Sequence, residues 1–251
     1  MKNKTVLITG ATSGIWESLV YKYIQEWYSV VATWRNINKL IELSKKFTKK
    51  EFIYLKCDLT LDHDIWSLIE FLKDQHIIID ILINNAWLGI FKSFMKTSKK
   101  EINTMLHTNL LWHLFLTKAI LELNQVRNIC FVSSLAWKVG FADLSVYSAT
   151  KFAIEWFCDA LREELRGSNI KVTIIRPWIV DTNFFDNTAF IDYANQIRHK
   201  MQTSNLVAGS IYGAIKKWYS EYTIGKDRYF LILQKILPKC MHRIILKLFI
   251  N

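Results

Sequence analysis

Residues Lys4–Val20, KTVLITGATSGIWESLV, decide the fold. Val6, Leu7 and Ile8 make an apolar run of buried-strand length, Gly10 and Gly14 bracket a turn, and a helical pattern begins at Ile15. A glycine turn between a buried strand and a helix lets backbone N–H groups approach a pyrophosphate, where the helix dipole favours negative charge. Trp16 conflicts with this arrangement: the last position of such a turn calls for glycine, and tryptophan is the largest side chain.

Outward from this stretch the alternation repeats. Strand-like runs lie at Thr5–Thr9, Val30–Thr33, Phe52–Cys57, Ile79–Asn84, Ile129–Ser133 and Lys171–Arg176. Helical patterns lie between them at Ile15–Glu26, Asp64–Lys73, Ile102–Leu123 and Val146–Leu165. Short apolar strands alternating with helices predict a Rossmann-type, doubly wound parallel sheet, a three-layer α/β/α arrangement. Proline occurs only at 177 and 238 and no linker or repeat interrupts the chain, so a single domain over residues 1–251 is expected. After Asp181 the alternation gives way to a polar, aromatic stretch at 182–203, followed by a helix from Asn205 to about Lys217. From Pro238 the chain reads PKCMHRIILKLFIN, with Met241, Ile244, Ile245 and Leu248 at helical spacing and Lys239, Arg243 and Lys247 between them. This predicts a basic amphipathic helix over about 238–250, packed on its own domain or a partner subunit, or laid on an anionic membrane surface.

The net charge of +11 and pI near 9.4 invite a nucleic-acid partner, but no nucleic-acid motif accompanies the scattered lysines. An A/T-rich genome accounts for them, and an anionic dinucleotide profits from the positive field. No apolar run reaches the roughly 18 residues of a membrane span. The first strand begins almost at Met1, so no signal peptide is expected and the location reads as cytoplasmic. Cys57, Cys130, Cys158 and Cys240 lie far apart without metal-ligand spacing and read as structural thiols.

The chemistry centres on Tyr147-Ser-Ala-Thr-Lys151. At i and i+4 of a helix, phenol and ammonium share a face, and the cation is expected to lower the phenol pKa from about 10 toward working pH. A general acid/base for carbonyl–alcohol chemistry needs that shift. Further motifs stand in a fixed order around this pentapeptide: TGATSGI at 9–15, Asp58 after the third strand, NNA at 84–86 after the fourth, Asn109 on the next helix, SS at 133–134 ending the fifth, and RP followed by Thr182 after the sixth.

The whole set, over about residues 4–185, resembles the short-chain dehydrogenase/reductase family of compact single-domain type. The resemblance implies that Tyr147 is the acid/base on the substrate oxygen. Lys151 holds the nicotinamide ribose and depresses the Tyr147 pKa. Ser134, thirteen residues before the tyrosine, hydrogen-bonds the substrate carbonyl; Ser133 is the neighbour it could be confused with. Asn109 anchors a water in a proton relay. The cofactor then lies on Gly10, Thr12, Ser13, Gly14 and Ile15, with Asp58 at the adenine, Asn85 supporting the cleft, Pro177 flanking it and Thr182 at the carboxamide. The second strand ends in Thr33, Trp34, Arg35 and Asn36 without an acidic residue for a ribose 2′-OH, while Arg35 offers a guanidinium fork to a 2′-phosphate. NADP(H) is therefore expected over NAD(H). The family habit is a homodimer or homotetramer. Residues 182–203 would form a substrate lid, where Phe184, Phe185, Phe190 and Tyr193 suit an apolar carbonyl or alcohol or simply cover core. A non-catalytic dinucleotide-binding sensor or scaffold on the same fold is the alternative.

Trp16, Trp27, Trp34, Trp87, Trp112, Trp137, Trp156 and Trp178 all stand where the family pattern has glycine. Overpacking costs about 1–3 kcal/mol per site, against a domain stability of about 5–15 kcal/mol. In some bacterial lineages UGA is read as glycine, and in another variant code as tryptophan. A gene of the first kind translated by the second table would show this pattern. The chain has 8 glycines and 10 tryptophans; these eight sites bring glycine to 8 + 8 = 16 and all ten to 8 + 10 = 18, and the usual glycine share for this length is roughly 18. On this reading the opening turn is TGATSGIG; read literally, Trp16 and Trp87 obstruct the cleft.

Overall fold

The computed structural model describes residues 4–10, 14–48, 51–58, 60–134, 140–181, 198 and 201–225. The strands among them are β1 (Thr5–Thr9), β2 (Ser29–Trp34), β3 (Phe52–Lys56), β4 (Ile81–Asn84), β5 (Asn128–Val132), β6 (Lys171–Arg176) and β7 (Glu221–Thr223). The helices are α1 (Gly14–Gln25), α2 (Ile37–Ser44), α3 (Asp62–Asp74), α4 (Lys99–Leu106), α5 (Trp112–Glu122), α6 (Ser145–Glu164) and α7 (Ser204–Lys216).

The strands form one parallel sheet in the order β3-β2-β1-β4-β5-β6-β7. Side chains alternate across a strand, so each strand feeds both layers. On β1, Val6 and Ile8 pack with Leu19, Tyr23, Leu40 and Ile211 of α1, α2 and α7. Leu7 faces the other way, onto Leu68, Leu116 and Cys158 of α3, α5 and α6. Burial on both faces explains why β1, β4 and β5 read as continuous apolar runs rather than alternating ones. The order reverses between β1 and β4, and in open parallel sheets ligands bind beyond the strand ends at such a switch point.

Ile102–Leu123 is helical as expected, with one departure: α4 and α5 are joined through a π-turn at His107–Leu111. The pattern runs through it because a single wide turn adds one residue to a periodicity measured over many. A seventh strand, β7, was not expected; only three residues long, it lacks a readable pattern and is set by pairing with β6. The expected lid at 182–203 lies outside the described residues apart from Arg198 and Met201–Thr203, as does the amphipathic segment at 238–250. No helix among the described residues is long and apolar enough to cross a membrane.

Candidate active site

The glycine turn opens at the C-terminal end of β1. Gly10 has φ +59°, and a Cβ there would lie 1.9 Å from the Ala86 Cβ, so only glycine fits against the loop after β4. Asn85 braces the same point: its Nδ2 donates to the Gly10 carbonyl at 2.9 Å, and its backbone N–H donates to Thr9 Oγ1 at 3.3 Å. Thr12 and Ser13 lie outside the described residues. Beyond them Gly14 starts α1, where a Cβ would lie 2.6 Å from Ser204 Oγ of α7, and the side chain of Ile15 is buried in the core.

Arg35 is exposed just past β2, and Asp58 follows β3. Asp58 Oδ1 accepts from the backbone N–H and hydroxyl of Thr60 at 3.0 and 2.8 Å, while its own N–H donates to Asp64 at 2.6 Å. Gly10, Trp34, Arg35, Asp58, Trp87 and Thr108 line one cleft, whose free volume is about 60 Å³. Sites for drug-sized ligands run to about 300–1,000 Å³. The donor set fits a dinucleotide, and the part of the cleft between Trp34 and Trp87 is smaller than such sites. Trp34 of the cleft wall packs against buried Trp16, with ring centroids 5.4 Å apart.

The pentapeptide opens α6. Tyr147 and Lys151 are both buried, and Lys151 Nζ lies 5.6 Å from the centre of the phenol ring, on the shared face. Ser134, just past β5, hydrogen-bonds the phenol of Tyr147. Ser133, buried, places its backbone N–H on the Ile175 carbonyl of β6. Lys151 Nζ donates to the Val132 carbonyl at 3.1 Å. Trp87 packs into this group, its ring centroid 6.1 Å from that of Tyr147 and 5.8 Å from Lys151 Nζ.

Asn109 sits in the π-turn, where its Oδ1 accepts from the Leu88 N–H at 2.6 Å. Its Nδ2 donates to the Leu88 carbonyl at 2.8 Å and to Thr150 Oγ1 at 3.2 Å. Thus Asn109 clamps the loop after β4 onto the helix that carries Tyr147. Thr150 completes the clamp by donating to the Tyr147 carbonyl at 2.7 Å. Thr150 was not singled out from sequence; its position three residues after Tyr147, on the same helix face, was the available signal. His113 was also missed: its Nε2 donates to the Ala86 carbonyl at 2.7 Å, and burial with the Lys151 charge beside it pushes its pKa down to about 3. Pro177 follows β6, buried, and Thr182 lies outside the described residues.

The electrostatics correct the expected phenol shift. Burial pushes the Tyr147 phenol above its ordinary value of 10, with the Ser134 hydrogen bond pulling the other way. Burial pushes Lys151 down to about 7, opposed by the Glu155 carboxylate one turn further along α6. Desolvation disfavours each charged form, and in so dry a site it is the largest cause of both shifts.

The short chain dehydrogenase family model matches residues 4–189. The NADP-dependent 3-hydroxy acid dehydrogenase YdfG of Shigella flexneri is 33% identical over 189 residues, covering 74% of this chain and 76% of the relative. An uncharacterized oxidoreductase of Staphylococcus epidermidis is 28% identical, covering 84% of this chain and 91% of that one. Among solved structures, the closed form of serine dehydrogenase complexed with NADP+ superposes with a TM-score of 0.79 at 27% identity, over 88% of this chain and 94% of the other.

Proposed function

This chain belongs to the short-chain dehydrogenase family and is an NAD(P)-dependent oxidoreductase of the CH–OH/C=O class, and from that premise we propose that it works with NADP(H) and uses Tyr147 to move the proton of the substrate oxygen. The observation that carries the reading is the cluster of buried Tyr147 and Lys151 with half-buried Ser134 beyond the C-terminal ends of β4 and β5. NADP(H), when bound, supplies or accepts the hydride at the carbonyl carbon. In the reductive direction the phenol of Tyr147 gives its proton to the oxygen; in the oxidative direction it takes one back. Ser134 orients that oxygen, and Lys151 stabilises the phenolate left behind. Asn109 holds the loop of Leu88 against α6, so that substrate and phenol keep their distance.

NADP(H) over NAD(H) is supported by Arg35, by the absence of an acidic residue from Thr33 to Asn36, and by the NADP named for two of the similar proteins. Hydroxy acids are the first substrates to test, since two similar proteins are named for 3-hydroxy acid and serine oxidation; apolar carbonyls come next because of Phe184, Phe185, Phe190 and Tyr193. A homodimer or homotetramer is the expected assembly.

The test is a carbonyl and hydroxy-acid panel with NADPH and NADH, comparing the parent protein with Tyr147→Phe. An enzyme loses about 10²-fold or more of its turnover while keeping NADPH affinity. A dinucleotide-binding sensor would show no turnover in the parent and the same NADPH affinity in both.

A further inference from the structure

Three features of the tryptophans have no account as tryptophan. The first is backbone conformation. Five non-glycine residues among those described have positive φ: Trp27 at 64°, His76 at 49°, Asn124 at 54°, Asp143 at 60° and Trp218 at 58°. Asn, Asp and His are the types that tolerate this region; the other two are both tryptophan. Each ends a helix in the same way. The Trp27 N–H donates to the Ile24 carbonyl and the Tyr28 N–H to the Tyr23 carbonyl, both at 3.0 Å. The Trp218 N–H donates to Ile215 at 3.1 Å and the Tyr219 N–H to Ala214 at 3.0 Å. This paired pattern places Trp27 and Trp218 at the left-handed residue of a Schellman motif, the position that glycine dominates. Their side chains, 81% and 50% exposed, gain little from packing there.

The second feature is polar. The indole Nε1 atoms of Trp16 and Trp112 are buried without a hydrogen-bond partner, although buried tryptophan ordinarily finds one. The third is space: Trp34 and Trp87 line the cleft that holds only about 60 Å³. Six different positions thus carry a mark of strain, an orphaned donor or an obstructed site, and glycine removes every one.

We infer that the native protein carries glycine at residues 16, 27, 34, 87, 112 and 218, and by the same decoding at 137, 156 and 178, because its gene specifies them with UGA codons read as glycine. One decoding rule explains sites of unrelated environment, which independent substitutions would not. It also explains why true glycines survive: a chain that spells glycine with several codons loses only the UGA subset. The inference deepens the dinucleotide-binding reading above by opening the site that reading needs.

The decisive measurement is the codon at each of these nine positions together with tryptic peptides of the protein from its own cells. TGA codons and glycine-containing peptides are expected; TGG codons, or indole-containing peptides at these positions, overturn the inference. A binding comparison supplies a second readout. The chain made with glycine at the nine positions should bind NADPH about a hundredfold or more tighter, by nicotinamide fluorescence, than the chain made with tryptophan. Equal affinity of the two forms overturns the claim that tryptophan closes the cleft. Native peptides with glycine but no turnover on any carbonyl would defeat the enzymatic reading and leave this inference standing; tryptophan in the native peptides of an active enzyme would do the reverse.

Discussion

Trp27 and Trp218 hold a left-handed backbone that costs a side-chain-bearing residue roughly 1–2 kcal/mol. Trp27→Gly and Trp218→Gly are each expected to stabilise the protein by about 1 kcal/mol, read as a rise of roughly 2–4 °C in melting temperature. The opposite sign at both sites would mean that the indoles pack where their exposure says they do not. Lys151 offers a pH test. Its pKa falls from the ordinary 10.5 to about 7 in the fold, so between these values the unfolded chain binds more protons than the native one. Stability contributed through this residue therefore rises with pH across that window. Lys151→Met should be more stable than the parent at pH 7, and the gap should narrow toward pH 10.5, in urea titrations of the cofactor-free protein. His113 acts in the acid range: with its pKa lowered from 6.5 to about 3, the stability of its neutral form is present above pH 6.5 and is lost as pH falls through that range.

At the scale of elements, α6 is held by one buried ion pair. Arg176, the last residue of β6, donates from Nε to Glu155 Oε1 at 3.0 Å and from Nη2 to Glu155 Oε2 at 2.6 Å, and its Nη1 reaches Glu221 of β7 at 2.7 Å. The pair ties the helix bearing Tyr147 and Lys151 to the strand that leads into Pro177. Removing Glu155 leaves the buried Arg176 charge with half-exposed Glu221 alone, so Glu155→Gln should cost up to about 3 kcal/mol. Glu155→Gln combined with Arg176→Gln should cost less than the sum of the two singles. Strict additivity in a urea double-mutant cycle would show the pair to be uncoupled. The π-turn is the other device at this scale. It turns Asn109 onto Leu88 and Thr150, which a regular helix over 102–123 would not place together. Its presence was illegible in the sequence because apolar spacing through Leu106, Leu110 and Leu114 suits either geometry.

For the whole molecule, the charge of +11 acts at range. If NADPH is the cofactor, its KM should rise severalfold when salt is taken from about 0.05 to 0.5 M, because screening shortens the field that attracts it. A KM indifferent to salt would confine recognition to contacts such as Arg35. The parallel sheet was legible from strands that must be apolar on both faces, and the family from motifs spaced in register with them. The fine ends of strands were not, since a residue such as Ser29 or Trp34 joins β2 only through its partners on β1 and β3.

The amino-acid sequence by itself determined the alternation of strand and helix, the glycine turn after β1 and the i, i+4 placement of Tyr147 and Lys151, because each follows from neighbours within a few residues. Only the tertiary structure decided how readily those groups take up charge: burial among helices distant in sequence raises the phenol pKa and lowers that of the ammonium, and desolvation depends on everything packed around a group. It likewise decided which tryptophans are at odds with their places, since backbone handedness, an orphaned indole and a closed cleft exist only once the chain has folded.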